Sequence, residues 1–403
     1  MHKNLNIIAF DIPFPADYGG VIDIFFKIKE LKKQGFKINL HCFQYGREKS
    51  IILSQLCKEV YYYPRKTYKN LLFGDIPYIV ASRQSEELLQ NIKNNNYPIL
   101  FEGLHSTFLL KHPDLKNRLK IVRTHNIEHE YYKHLELAEK NFFKKYFFKT
   151  EAERLKKYQS ILKFADLICA ISPADEQYFK KKFGKTIYLP AFHNNEKVNI
   201  ITGLGKYALY HGNLSVAENH LAAMFLTNEV FSKTNIPFII AGSNPKKELK
   251  QAVSKYKNIE LRANENTENI HNLISNAQIN ILYTRQNTGI KLKLLNSLYI
   301  GRHCIANSIM TDNTGLNSLC HIANTPEKII EMLNKLMKTE FDINELTKRK
   351  KFFAENFNNS ISANLLIENI MIKNDGKNEI PLQKNHTINK NNKLRSMLNI
   401  FTI

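Results

Sequence analysis

Cysteine is scarce in this chain of 403 residues, and the few cysteines follow no pairing pattern. They number five, which is odd, and no two of them form a C-x-x-C pair. This pattern argues against a disulfide framework and against a structural zinc site. Cys42, Cys169 and Cys304 fall in apolar, strand-like runs, where we expect simple buried thiols.

Long apolar runs are also absent, since no stretch approaches the roughly 20 residues needed to cross a bilayer. The N-terminal run "NIIAFDI" is interrupted by Asp11 and no small-residue cleavage site follows. It therefore reads as a first buried strand and not as a signal peptide. We expect a cytoplasmic protein, either free or peripherally associated with the inner face of the membrane.

Acidic residues are few compared with basic ones, and the net charge is +21. One interpretation is compositional, because Lys, Asn and Ile are abundant throughout and much of the charge belongs to solvated helix faces. The other is attraction to an anionic membrane surface or an anionic substrate. The chain carries no recognisable nucleic-acid motif, so we expect no nucleic-acid partner.

Short β-rich runs alternate with helical patterns, which is typical of a parallel sheet covered on both faces. The first alternation spans residues 1–193, and the apolar pattern lapses over a linker at 194–206. A second alternation spans 207–340. We predict an α/β fold with two Rossmann-like domains facing a central cleft. Helices are predicted over 341–373, and the polar residues 374–403 are predicted to be disordered.

The predicted strands lie between turn signals and are rich in β-branched and aromatic residues. In the first domain they are "NIIAFDI", "KINLHCF", "EVYYY", "PILFEG", "KIVRTH", "ADLICAIS" and "TIYLPAF". In the second they are "YALYHGN", "PFIIAGS", "NIELRAN", "INILYT" and "HCIANS", with a helix over 216–230.

The loop "DIPFPADYGG" joins the first strand to the first helix. It places Gly19 and Gly20 at the helix N-terminus, where bare backbone amides can approach a ligand closely. The loop is not G-x-G-x-x-G, so the dinucleotide fingerprint is absent, and a tight turn is the alternative interpretation.

Polar residues also follow two other strands of the first domain. Open α/β sheets bind ligands at the carboxyl ends of their strands. At one such end lies His125, in "RTHNIEHEYY", and at another lie Glu102 and His105, in "FEGLHS". A single histidine is more often structural than catalytic. The polar neighbours of His125 favour a functional role because a hydrophobic core would not tolerate them; they are Arg123, Asn126 and Glu128.

The stretch "TGIKLKLLNSL" begins a predicted helix with two lysines. Cations at this positive end of the helix dipole usually cost a few tenths of a kcal/mol each. That cost becomes a gain in stability if an anion binds at the helix terminus and is shared by Lys291, Lys293 and Gly289. Lys293 and Asn296 are three residues apart and share a face, which suits a phosphate followed by a ribose. Gly212, in "YHGNLS", directly follows another strand.

Taken in chain order, the segments quoted above resemble those of the GT-B glycosyltransferases, specifically retaining glycosyltransferase family 4. The resemblance covers nearly all of residues 1–370. The stretch "TGIKLKLLNSLYIGRHCIAN" is similar to that family's "G-x-R/K-L-K-x-x-E-A-x-x-x-G-x-P-V-V" block. The resemblance implies that Lys291 and Lys293 hold a donor diphosphate, with Gly289 in the same block. It also places Asn296 where the family has a Glu that binds the donor ribose.

The same resemblance implies roles for the other candidate residues. Gly19, Gly20 and Gly212 would line the donor pocket, His125 would lie beside the transferred sugar, and Glu102 is the second catalytic candidate. The implied reaction is hexosyl transfer from a nucleotide-sugar with retention, without a metal or other cofactor. A glycan or lipid-linked acceptor of cell-envelope polysaccharide synthesis, such as lipopolysaccharide, is expected.

Two other functions stay open at this point. One is a GT-B-fold nucleotide-sugar epimerase, and the other is a non-catalytic relative that binds a nucleotide or glycan. The basic and aromatic segment "YYKHLELAEKNFFKKYFFKTEAERLKKYQ" leaves a further alternative. It reads either as a solvated helical hairpin or as an acceptor- or membrane-docking face.

Overall fold

The computed structural model describes residues 3–68, 74–139, 141–285 and 291–378. These residues form two domains, each with a parallel β-sheet covered by helices. The predicted α/β class with two Rossmann-like domains is therefore confirmed. None of the described helices has both the length and the apolar character needed to cross a membrane.

The first domain contains a seven-stranded sheet. Its strands are β1 (Asn4–Ala9), β2 (Lys37–Gln44), β3 (Glu59–Pro64), β4 (Ile99–Glu102), β5 (Lys120–Arg123), β6 (Leu167–Ala170) and β7 (Thr186–Tyr188). Its helices are α1 (Gly19–Lys33), α2 (Ile51–Leu56), α3 (Tyr78–Ala81), α4 (Glu86–Lys93), α5 (Glu128–Ala138), α6 (Phe142–Tyr158) and α7 (Pro173–Phe183).

The strand order of this sheet is β3-β2-β1-β4-β5-β6-β7, and every neighbouring pair is parallel. The order of the strands therefore reverses between β1 and β4. Strands β4, β5 and β6 are buried at every position, because helices cover both faces of the sheet. Loops at the carboxyl ends of β1 and β4 meet at this reversal, where such folds bind ligands.

The second domain repeats this plan with six parallel strands. Its strands are β8 (Ala208–His211), β9 (Phe238–Gly242), β10 (Ile259–Ala263), β11 (Ile279–Leu282), β12 (His303–Ala306) and β13 (His321–Ile322). Its helices are α8 (Ala217–Phe225), α9 (Lys247–Val253), α10 (Thr267–Asn276), α11 (Leu292–Ile300), α12 (Ser308–Thr311) and α13 (Pro326–Leu336). The order is β10-β9-β8-β11-β12-β13, so the reversal falls between β8 and β11.

Most of the predicted strands coincide with observed ones, and the differences are local. Strand β13 was not predicted, because two residues are too short to show a periodic pattern. The predicted helix over 216–230 divides into α8 and a π-helical turn at Leu226–Val230.

The last two helices are α14 (Ile343–Asn356) and α15 (Asn359–Asn378), and α15 returns to the first domain. Its side chains Ala363, Leu366 and Ile370 are buried in the same core as β1, β2 and α1. The helix continues to Asn378, so the predicted tail cannot begin at residue 374; packing of the preceding turns supplies the nucleus that lets the polar residues continue the helix. Residues 379–403 lie outside the described part of the chain.

We predict that docking of α15 stabilises the first domain. Leu366 is fully buried, so Leu366→Ala should lower the free energy of unfolding by about 2–4 kcal/mol. Ile372 lies on the same helix and is 72% exposed, so Ile372→Ala should change it by less than about 0.5 kcal/mol. Urea unfolding followed by circular dichroism measures both. Equal, small effects would show that α15 does not pack on this domain in solution.

Candidate functional site

Two buried carboxylates at the switch point of the first sheet are paired with two buried cations. Arg123 donates to Asp23 twice, from Nε to Oδ2 at 3.1 Å and from Nη2 to Oδ1 at 3.0 Å. Lys27 Nζ lies 2.9 Å from Asp23 Oδ2 and 2.7 Å from Glu102 Oε1. All four side chains have no exposed surface. We call Asp23, Lys27, Glu102 and Arg123 the charge network; its formal charges cancel.

The cations of the charge network decide the ionisation of its acids. Burial alone would raise the pKa of Asp23, but Arg123 and Lys27 together hold it well below its usual value. Burial would also raise the pKa of Glu102, and Lys27 with His125 lowers it instead. Both carboxyl groups are therefore ionised at neutral pH. Removing one partner of such a buried pair typically costs about 3–5 kcal/mol, because the other charge is left unpaired.

His125 joins the charge network through Glu102, its predicted neighbour. Its Nε2 lies 3.0 Å from Glu102 Oε2, and the ring of Phe10 packs edge-on with centroids 5.4 Å apart. Because an ionised carboxylate only accepts, Nε2 carries a proton in this contact, and Nδ1 is an acceptor whenever the ring holds a single proton. This buried Nδ1 has no hydrogen-bond partner among the described residues. The ring thus has an acceptor nitrogen that the surrounding side chains do not use.

The same atoms resemble a metal-binding set. Ligand atoms of Asp23, Glu102 and His125 lie within 4.8 Å of one another. However, Lys27 and Arg123 already lie against the two carboxylates and supply the positive charge that a divalent ion would bring. The donor set is therefore electrostatically balanced by the protein's own side chains.

A second polar group surrounds the other side of Phe10. The ring of His105 packs on Phe10 at 5.0 Å, and its Nδ1 lies 3.9 Å from Glu128 Oε1. Asn126 Nδ2 donates to the same oxygen at 3.4 Å. Burial raises the pKa of Glu128 to about 7, and burial together with Arg83 lowers the pKa of His105 well below its usual value. Near neutral pH His105 is therefore uncharged and Glu128 is only partly ionised, and both keep hydrogen-bonding atoms.

The predicted Gly-Gly loop has a packing role. Helix α1 begins at Gly19, as the sequence predicts. A Cβ added at Gly20 would lie 2.6 Å from Cζ of Phe10, which no ordinary contact allows. Gly20 therefore makes room for the ring that contacts His125 and His105. Ligand contact by either glycine stays a prediction.

The second domain brings Lys293 and Gly212 together, at the ends of α11 and β8. Lys293 Nζ donates to Asn219 Oδ1 at 2.7 Å and lies 5.3 Å from the centroid of the Tyr210 ring. A Cβ at Gly212 would lie 3.3 Å from the same ammonium nitrogen. The absence of a side chain at Gly212 keeps the approach to Lys293 open.

Lys291 and Lys293 are both held at the positive end of α11, where Lys291 is the N-cap residue. Burial lowers the pKa of Lys293 to about 8 and also lowers the pKa of Lys291, although Glu218 opposes both shifts. Among the described residues, no carboxylate oxygen lies within salt-bridge distance of Lys293. An anion bound at this helix terminus would relieve both the dipole cost and the burial cost.

Asn296 connects α11 to the linker. Its Oδ1 accepts a hydrogen bond from Asn195 Nδ2 at 2.7 Å. The next residue, Ser297, lies 3.1 Å through Oγ from His211 Nε2 at the end of β8. Gly289, the remaining predicted donor-site residue, lies outside the described residues.

A cavity of about 140 Å³ joins the two halves of the site. Asn126 and Glu130 line it from the first domain, and Lys291 and Asp312 line it from the second. The residue that follows His125 in the chain thus shares one space with the N-cap lysine of α11. This cavity therefore adjoins both the segment of His125 and the N-terminus of α11, and a shared catalytic role of the two segments stays a prediction.

Asp23 and Lys27 were not predicted as site residues. A signal was present, because they form an acid–base pair at i and i+4 on the face of α1 that also carries the buried Val21, Ile24 and Ile28. A lysine on the buried face of an amphipathic helix requires an acidic partner.

No protein-family profile matches the chain. The chain is 27% identical over 331 residues to a Klebsiella pneumoniae protein described as an uncharacterized 44.6 kDa protein in the cps region. That similarity covers 77% of this chain and 84% of the Klebsiella protein.

Several solved structures share the architecture. HepE from Anabaena, in complex with UDP and glucose, matches with a TM-score of 0.60 at 10% identity, over 92% of this chain and 100% of that one. A mutant of TarM from S. aureus, in complex with fondaparinux, alpha-GlcNAc-glycerol and UDP, matches with a TM-score of 0.60 at 11% identity. This match covers 94% of this chain and 100% of the TarM chain. A Rickettsia africae glycosyltransferase matches with a TM-score of 0.58 at 12% identity, over 94% of this chain and 100% of that one. At these identities the likeness concerns the fold, which is the GT-B fold of glycosyltransferases.

We predict that protonated Lys293 destabilises the unliganded protein. Its folded-state pKa lies near 8, below the usual 10.5, so the cost is full below pH 8 and shrinks as the pH rises towards 10.5. Lys293→Met should therefore raise the free energy of unfolding by roughly 1–3 kcal/mol at pH 7, and by less at pH 9.5.

Urea unfolding of the two proteins at both pH values measures this difference. Lys335→Met, at an exposed position on α13, is the matched control and should show no such pH dependence. A variant that is less stable than the wild type at pH 7 would contradict the electrostatic account of Lys293.

Proposed function

We propose that the protein is a glycosyltransferase that moves a hexosyl group from a nucleotide-sugar donor to a glycan or lipid-linked acceptor. The main observation behind this proposal is the position of two lysines. Lys291 and Lys293 lie at the N-terminus of α11, and Lys291 lines the same cavity as Asn126, the residue after His125. This arrangement offers an anion site in contact with the neighbour of a histidine whose buried Nδ1 has no hydrogen-bond partner among the described residues. The likeness in fold to structures that contain UDP supports a nucleoside-diphosphate donor.

In this reaction the lysines stabilise the leaving diphosphate. The bond between the anomeric carbon and the diphosphate oxygen breaks, and the acceptor hydroxyl forms the new bond on the same face, so the configuration is retained. The hydroxyl proton passes to the departing diphosphate. Two ammonium groups and a helix N-terminus supply the charge stabilisation, so we propose that no metal or other cofactor is required.

His125 acts on the transferred sugar. Glu102 fixes its proton on Nε2, and Nδ1 can then accept a hydrogen bond from a sugar hydroxyl. Glu102 itself is buried against Lys27, so its contribution is to orient and polarise the imidazole. Such a preorganised contact accelerates the reaction only if it is stronger in the transition state than with the bound donor.

The Klebsiella relative is described as lying in a cps region, which supports a place in cell-envelope polysaccharide synthesis. We propose that the protein acts on the cytoplasmic side of the membrane, and lipopolysaccharide is one example of such a polysaccharide. Asn296 favours one alternative. The family glutamate that would hold the donor ribose is an amide here, and its oxygen is bonded to Asn195. A non-catalytic nucleotide- or glycan-binding relative would show this loss of a charge-assisted contact. A nucleotide-sugar epimerase would instead convert the donor without any acceptor.

We predict that Lys293 contributes to diphosphate binding. A thermal-shift panel of UDP, GDP, ADP and dTDP identifies the nucleotide that stabilises the wild type most. Lys293→Met should weaken its binding by about 1.5–3 kcal/mol, since a hydrogen bond to a charged group is lost. Isothermal titration measures the difference, with Lys335→Met again as control. Equal affinities of Lys293→Met and wild type would rule out the diphosphate site at α11.

We predict that His125 contributes to the rate. His125→Ala should lower the turnover number of the folded protein at least roughly tenfold, while nucleotide affinity changes little. Loss of the hydrogen bond to Glu102 should also lower the melting temperature. Sugar transfer and donor consumption, each measured with and without acceptor, provide the readout. If the variant unfolds but its folded fraction turns over normally, His125 is structural. Conversion of the donor without acceptor, at the same rate as with it, would favour the epimerase.

A further inference from the structure

The hairpin formed by α5 and α6 exposes large apolar side chains at its tip. Leu137 is 76% exposed, Phe142 75%, Phe143 80% and Tyr146 66%. Single exposed apolar residues are common on soluble proteins, but a contiguous group of this size indicates an interaction surface. We call these four residues the apolar tip.

The aromatic residues that follow on α6 behave differently. Phe147 packs edge-on against Tyr78 with ring centroids 6.4 Å apart, and Phe148 packs against Tyr132 at 6.0 Å. The ring of Phe147 thus attaches α6 to α3, and the ring of Phe148 attaches it to α5. Phe142 and Phe143 are therefore not needed to hold the hairpin in place, although burial of two phenylalanines would be favourable.

Three exposed lysines flank the apolar tip, and they are Lys144, Lys145 and Lys149. Lys145 and Lys149 are four residues apart, as are Phe142 and Tyr146, so the two pairs form adjacent rows on α6. Lysines beside inserted aromatic side chains are typical of helices that bind anionic lipid, because the ammonium groups reach the headgroups while the rings enter the acyl boundary. Each lysine near such a surface adds to the electrostatic attraction.

A second copy of the chain fits this surface less well. A symmetric dimer presents the same patch from both partners, so pairing through the apolar tip would bring two sets of three lysines together. The net charge of +21 adds to this repulsion. An anionic partner has the complementary charge.

The position of α5 relates the apolar tip to the site. Glu130 and His134 line the cavity that also contains Lys291. Leu137 follows them at i+7 from Glu130, so the three side chains share one stripe of the helix. An eleven-residue helix is about 16 Å long, so this stripe connects the cavity with the apolar tip over a short distance.

We propose that the apolar tip docks the protein on an anionic lipid bilayer, with Phe142 and Phe143 inserted and Lys144, Lys145 and Lys149 at the headgroups. Docking at the tip places the cleft beside the membrane, where the stripe of α5 leads a lipid-linked acceptor to the cavity. That path rests on the proposed function, whereas the docking itself does not.

Vesicle co-sedimentation of the full chain tests the docking. The wild type should bind phosphatidylcholine vesicles that contain about 30% phosphatidylglycerol more tightly than phosphatidylcholine alone, and added salt should weaken the binding. The double variant Phe142→Ser/Phe143→Ser should bind the anionic vesicles at least roughly tenfold more weakly. The matched control Ile51→Ser/Ile343→Ser removes two apolar side chains that are 78% and 63% exposed elsewhere, and should bind like the wild type.

Three results would overturn the proposal. The first is that the wild type binds anionic vesicles no more tightly than neutral ones. The second is that both double variants lose vesicle binding equally. The third is that light scattering shows a dimer for the wild type and a monomer for Phe142→Ser/Phe143→Ser. Donor consumption with a water-soluble acceptor is measured in parallel and should be unchanged in both double variants. Vesicle binding without any sugar transfer by the wild type would leave the docking intact and refute the proposed function instead.

Discussion

A charged group that folding removes from water must find an opposite charge, and the two domains meet this constraint differently. In the first domain, Lys27 and Arg123 are paired with Asp23 and Glu102, and the charges cancel within fully buried surroundings. In the second domain, Lys293 faces an amide oxygen, and burial lowers its pKa to about 8. The charge network of the first domain is balanced by its own side chains, whereas Lys293 has no carboxylate within salt-bridge distance among the described residues, and we propose that a ligand anion stabilises it.

The same contacts connect the linker to both halves of the site. Asp23 Oδ1 accepts a hydrogen bond from the backbone N–H of Phe192 at 2.8 Å, which attaches the residues just before the linker to the charge network. Three residues later, Asn195 is bonded to Asn296 on α11. The chain therefore changes its domain partner between Phe192 and Asn195. Helix α15 then returns to the first domain, so two segments join the domains and hold the facing edges in register.

Much of the site was predictable because parallel strands bring their carboxyl ends to one edge. His125 and Glu102 follow neighbouring strands, and they are in hydrogen-bond contact. Asp23 and Lys27 were not predicted, because helical periodicity identifies a buried face without showing which charges lie opposite it. For the same reason the apolar pattern of α15 predicts a buried helix but not the domain on which it packs. The contact of Asn296 with the linker could not be predicted either, since it joins residues about 100 positions apart.

The central claim is that a donor diphosphate provides a countercharge for Lys293 at the N-terminus of α11. A crystal structure with the nucleoside diphosphate that binds most tightly tests it directly. We expect phosphate oxygens within hydrogen-bond distance of Nζ of Lys291 and Lys293, with the bond from Lys293 to Asn219 exchanged for one to phosphate. A nucleotide bound elsewhere, with the Lys293–Asn219 hydrogen bond of 2.7 Å intact, would contradict the account.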